Sequence, residues 1–209
     1  MIEVDGVTVR TGDLTLLPAV TVSAQRGSAL VIRGANGSGK STLLRVLAGT
    51  RMPSHGRVRI DGEPVTPRDP GFRRRVAAMI GLPPTAPDLT VFEHALLVAT
   101  TWTDDAAGAA EQARRVLAEL GLTPLEHRFP HELSSGQTQL FGIALVLARP
   151  FEVLILDEPE QRLDPEHLET MIGVLRARRA DGAAVVVSTH SPTLAEAIAD
   201  QTLWLDAAA

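Results

Sequence analysis

Residues Gly34-Ala-Asn-Gly-Ser-Gly-Lys-Ser41 sit between a β-branched run, Ala29-Leu-Val-Ile32, and an amphipathic stretch, Ser41-Thr-Leu-Leu-Arg-Val-Leu-Ala48. This order reads as strand, tight turn, helix, and it matches G-x-x-x-x-G-K-[ST], the Walker A phosphate-binding loop, in full. The chemistry explains the spacing. Gly34, Gly37 and Gly39 let successive backbone N–H groups of Ala35, Asn36, Ser38 and their neighbours turn inward around phosphate oxygens. The loop opens onto a helix N-terminus, through Ser41 and Thr42, whose partial positive charge favours an anion. Lys40 adds a point charge for the β- and γ-phosphates, and Ser41 offers a hydroxyl to Mg²⁺. The expected ligand is a nucleoside triphosphate.

The 209 residues suffice for one large domain, or one core with an inserted subdomain, and for a sizeable core. A hydrophobic content of 44% with 22% charged residues excludes disorder as the ground state. A net charge of −5 argues against a generic nucleic-acid binder, and no nucleic-acid partner is expected. The one dense basic run, Arg73-Arg74-Arg75, reads either as a solvated turn or helix start or as a contact for a partner or phosphate. The absence of cysteine removes disulfides, thiolate metal sites and thiol chemistry. No targeting segment or membrane-length apolar stretch is evident, the longest candidate being Phe141–Ala148. The expected location is the cytoplasm, with any membrane role supplied by a partner that spans.

Along the chain, 2–10, 19–26, 29–34 and 57–61 cluster β-branched residues between turn signals and predict short antiparallel strands around the phosphate loop. Beyond Pro83-Pro84 and Pro87 the pattern becomes helical, with a periodic segment Glu111–Leu120 stopping at Gly121. A long apolar helix is expected from Ser134 to about Arg149. Val153-Leu-Ile-Leu156 then reads as a central parallel strand buried on both faces, followed by a helix near 165–180 and a strand Ala184–Ser188. The expected division is a nucleotide-binding core with a β subdomain, about 1–75 and 150–209, and a helical subdomain, about 82–149.

The buried strand runs into Asp157-Glu158-Pro159, two carboxylates at the strand edge where ligands of such sheets bind. Asp157 is placed to reach Mg²⁺ and Glu158 to accept a proton from an attacking water. Leu133-Ser-Ser-Gly-Gln137 precedes this strand by one helix length, and Ser188-Thr-His190 ends the next strand. With Leu163-Asp164, and in this order over essentially the whole chain, these segments resemble the nucleotide-binding subunit of ATP-binding cassette (ABC) transporters.

That resemblance implies an α/β fold, a P-loop NTPase core with an antiparallel β subdomain and an inserted α-helical subdomain. It implies ATP and Mg²⁺ as ligands, an integral-membrane permease as partner, and a head-to-tail dimer with a second ATPase subunit. Ser134, Ser135, Gly136, Gln137 and Asp164 then act across the dimer on the other subunit's ATP. Glu158 matches the catalytic base and His190 the histidine that contacts the γ-phosphate, beside Lys40. The chain departs from the pattern in four places: Thr11 stands where an aromatic stacks on adenine, and Gly81 where a glutamine touches Mg²⁺. Glu160-Gln161-Arg162 replace small residues, which implies altered contacts across the dimer, and Leu140 and Leu145 replace arginines. The implied function is ATP hydrolysis energising an export-type or otherwise unassigned transporter. The alternatives are a regulatory half of a heterodimer with little or no hydrolysis, and a soluble non-transport ABC ATPase.

Overall fold

The computed structural model describes residues 1–206. Two sheets organise it. The first is antiparallel, in the order β2-β1-β4-β5, from β1 (Ile2–Thr11), β2 (Leu14–Ala24), β4 (His55–Ile60) and β5 (Glu63–Pro64). The second is parallel throughout, in the order β6-β7-β8-β3-β9, from β3 (Ala29–Gly34), β6 (Val76–Met79), β7 (Val153–Asp157), β8 (Ala184–Ser188) and β9 (Gln201–Leu205). Helices α1 (Lys40–Leu47), α2 (Pro70–Arg75), α3 (Val91–Thr100), α4 (Ala106–Glu119), α5 (Ser135–Leu147), α6 (Pro165–Ala180) and α7 (Pro192–Ile198) connect them.

The sequence places residues 29–34 among antiparallel strands, and here the structure differs. β3 pairs in parallel with β8 and β9, because its run of apolar residues suits a strand covered on both faces. β2 starts at Leu14 rather than near residue 19. Pro18 interrupts the hydrophobic pattern, yet it is tolerated because β2 is an edge strand with one side free of ladder bonds.

Alternation along the central strands splits the core in two. Leu154, Leu156, Val185 and Val187 face the helical layer, where they meet α5 and α6; Val153, Ile155, Ala184 and Val186 face α1 and the antiparallel sheet. Leu140 and Leu145, both buried, lie in the helical-side core, so this helix uses apolar packing at positions where the resemblance leads one to expect arginine. A Cβ added at Gly142 would stand 3.1 Å from Met79 Sδ and Pro83 Cδ, a tight fit that shows how closely the loop after β6 packs on α5. Gly34, Asp157 and Ser188 all end their strands at one sheet edge, with Asp157 paired in register to Ser188.

Candidate functional site

The phosphate loop leaves β3 at Gly34 and enters α1 at Lys40. Gly39, the residue before α1, has φ +98°, a left-handed conformation that a side chain would strain, and an added Cβ would stand 2.7 Å from the Leu16 carbonyl oxygen. No side chain caps α1. Its first-turn N–H groups are therefore left for a ligand. Lys40 is only 5% exposed, and its Nζ donates to the carbonyl oxygens of Gly34 at 3.0 Å and Ala35 at 3.1 Å. The ammonium is thus held inside the loop by neutral acceptors, with no carboxylate among its hydrogen-bond partners to compete with an incoming anion. Ser38 Oγ is buried without a hydrogen-bond partner.

A cleft of about 540 Å³ is lined by Leu14, Leu16, Asn36, Gly37, Lys40 and Glu158, with Thr15, Gly39, Ser41 and Thr42. It brings the phosphate loop and the second carboxylate of the Asp157-Glu158 pair to one space. Glu158 sits at φ +47° just past β7, a strained conformation for a glutamate, held by its backbone N–H donating to Ser188 O at 3.0 Å and Ser188 Oγ at 3.1 Å. His190 Nε2 lies 3.3 Å from Glu158 Oε1. The Ser188 hydroxyl donates to Asp157 Oδ1, which holds the first carboxylate at the strand edge.

Three features escape a reading of the sequence. Glu160 Oε1 accepts from the Thr189 hydroxyl, from His190 N at 3.1 Å and from Ser191 N at 3.3 Å, so one carboxylate oxygen ties down the loop that carries His190. Gln161 donates to Glu158 Oε2. Gln139, buried on α5, donates to the Pro159 carbonyl at 3.1 Å and links that helix to the turn bearing Glu158. The only sequence signal was the departure at Glu160–Arg162 from small residues; Gln139 gave none.

Ser134 caps α5. Its hydroxyl accepts from Gln137 N at 3.2 Å, while Gln137 Oε1 accepts from Ser134 N at 2.9 Å. Ser134 and Ser135 are exposed, and a Cβ on Gly136 would meet the Arg162 carbonyl oxygen at 2.8 Å. Asp164 caps α6, accepting from His167 N at 2.9 Å and His167 Nδ1 at 2.7 Å. The His167 backbone N–H first, and its ring second, hold the Asp164 carboxyl below the usual carboxylate range. None of Ser134, Ser135, Gly136, Gln137 and Asp164 lines the cleft of its own chain. Thr11 is also outside it, accepting at Oγ1 from Arg51 at 2.9 Å; Leu14, 63% exposed, occupies the cleft side instead. Gly81 has φ +84°, a conformation that disfavours a glutamine at that position.

A family model described as ABC transporter matches residues 17–161. The chain belongs to the ABC transporter family. A second model, of an AAA domain, matches the shorter span 127–196 within the same ATPase core. Among the relatives, the energy-coupling factor transporter ATP-binding protein of Methanospirillum hungatei is 34% identical over 91% of this chain, which spans 49% of that protein. The thiamine import ATP-binding protein of a Jannaschia species is 31% identical over 99% of this chain and 89% of its own length. A dimeric ATP-binding cassette in a post-hydrolysis state with ADP and Pi superposes with a TM-score of 0.87, at 26% identity over 98% of this chain and 94% of that one. The cassette fold implied by the motifs, an α/β P-loop core, is thereby shown. Among the described residues no helix is long and apolar enough to cross a membrane.

Proposed function

We propose that this chain is the ATP-binding and ATP-hydrolysing subunit that powers an ABC transporter through a separate membrane-spanning permease. The observation that carries this reading is the shared cleft of the phosphate loop and Glu158, with His190 Nε2 at 3.3 Å from the Glu158 carboxylate. The N–H groups from Ala35 to Thr42 cradle the phosphates, and Lys40 exchanges its carbonyl partners for β/γ-phosphate oxygens. A water attacks the γ-phosphorus, the bond to the β–γ bridging oxygen breaks, and ADP leaves; Glu158 takes the water's proton. His190 orients the water and contacts the γ-phosphate. Residues 82–149 act as the helical subdomain of a single ATPase domain.

The Ser41 hydroxyl and the Asp157 carboxylate offer oxygen donors suited to Mg²⁺, and among the described residues no cluster of three His, Asp or Glu side chains forms a separate metal cage. An ion held there would supply positive charge against the phosphates. Ser134, Ser135, Gly136, Gln137 and Asp164 complete the site of a second cassette, homologous or identical. Because α5 begins at Ser135 with its capping serine exposed, the segment presents a helix N-terminus to that subunit's γ-phosphate. The complex operates at the inner face of the cell membrane. Relatives named for import and energy-coupling transporters favour uptake over the export-type reading.

Release of phosphate from ATP by the purified chain with Mg²⁺, lost on Lys40→Ala, is the expected result. Binding without turnover favours the regulatory half of a heterodimer, and absence of nucleotide binding overturns the proposal.

A further inference from the structure

The Arg73-Arg74-Arg75 run closes α2, and its Arg74 lines a cavity of about 610 Å³ at the sheet edge opposite the phosphate loop. α4, the last residues of α5 and the segments entering β7 and β8 bound it. Arg149 lines it. The guanidinium lies 4.1 Å from the centre of the Trp102 ring, and it donates to the Arg73 carbonyl oxygen. Its Nε is buried with no hydrogen-bond partner, as is Arg75 Nε close by in sequence to the same contact. Burial first, and the charge of Arg73 second, push the Arg149 guanidinium below the ordinary arginine value.

The carboxylates of the cavity wall face two of its own arginines, Arg26 and Arg178. Glu152 pairs with Arg26 at 2.5 Å, Glu119 pairs with Arg178, and Asp181 faces Arg178 at 3.9 Å. Arg74, Arg115 and Arg149 also line the wall, and among the described residues none of them has a carboxylate within ion-pair distance. Arg74 and Arg115 are exposed at the rim, whereas Arg149 is half-buried, and a half-buried cation without a counter-charge is unfavourable in a wall that pairs its other arginines. A carboxylate ligand would answer one of the three charges. A phosphate-type dianion answers two, accepts from guanidinium forks bidentately, and leaves Arg149 stacked on Trp102.

We propose that this cavity binds a phosphate-type oxyanion, with Arg149 as the central contact and Arg74 and Arg115 at its rim. The site is separate from the nucleotide cleft, which lies at the other end of the strands.

Tryptophan fluorescence tests it, because the chain has only Trp102 and Trp204, and Trp204→Phe leaves the ring under Arg149 as the sole reporter. Inorganic phosphate titrated at constant ionic strength should give a saturable change that chloride does not. The response should survive Lys40→Ala, which disables the phosphate loop, and Arg149→Met should raise the half-saturating concentration by about tenfold or more. Acetate should be weaker by about tenfold as well. A change matched by chloride or acetate, one lost in Lys40→Ala, or one unaltered by Arg149→Met overturns the proposal. Should Arg149→Met fail to fold, the exposed pair Arg74→Ala/Arg115→Ala is used instead, with an increase of about threefold expected and an unchanged value contradicting the site.

Discussion

Lys40 is held inside its loop by two backbone carbonyls, so its removal deletes charge from the cleft without breaking an ion pair. Lys40→Ala should weaken ATP binding by about tenfold or more while the far-ultraviolet circular dichroism stays unchanged. Glu160 acts at one remove. With Thr189, His190 and Ser191 all donating to it, Glu160→Ala should free the His190 loop and lower kcat by about tenfold, with KM for ATP within about twofold. Glu160→Gln keeps a carbonyl acceptor and should keep most of kcat; wild-type kcat in the alanine variant removes this role. Leu14 lines the cleft and Thr11 does not, so we place Leu14 beside the base. With the aliphatic Leu14 on the cleft, discrimination between ATP and GTP should stay within about tenfold, and Leu14→Tyr rather than Thr11→Tyr should tighten ATP binding. A competition titration of the two nucleotides on the three proteins decides it. The phosphate loop is legible in the sequence because its donors are contiguous; Leu14 and Gln139 are not, because the fold brings them to the site from β2 and α5, nor is the role of Glu160, whose partners Thr189, His190 and Ser191 follow β8.

At the scale of elements, the caps join folding to the site. α5 is legible from Ser134 onward because a serine cap precedes an apolar run of helix length, and α6 because Asp164-Pro165 is a strong start signal. β6 and β9 go unread, being four and five residues long with no turn signal of their own. The Asp164 carboxyl titrates below its unfolded value. Its contribution to stability is therefore present above the ordinary carboxylate range and is lost as pH falls through the lowered value. Wild type should melt above Asp164→Asn at neutral pH, and the gap should shrink from about pH 4.5 downward in thermal scans. A gap that widens in acid contradicts the assignment.

For the whole molecule, the parallel sheet places the loop after β3 and the carboxylates after β7 at one edge, while α5 presents Ser134–Gln137 away from that chain's own cleft. The strand-then-helix alternation made this core legible, whereas the parallel pairing of β3 depends on β8 and β9, far along the chain. In the proposed function, a second cassette completes a site split in this way, with ATP as the joint between them. Glu158→Gln keeps the shape of the side chain and removes its capacity to take a proton. The most direct measurement is size-exclusion chromatography of this variant with and without ATP, beside its phosphate release. An ATP-dependent dimer of the 22.3 kDa chain is expected, with turnover lowered by about 10²-fold or more. A monomer in ATP that hydrolyses at the wild-type rate would contradict it.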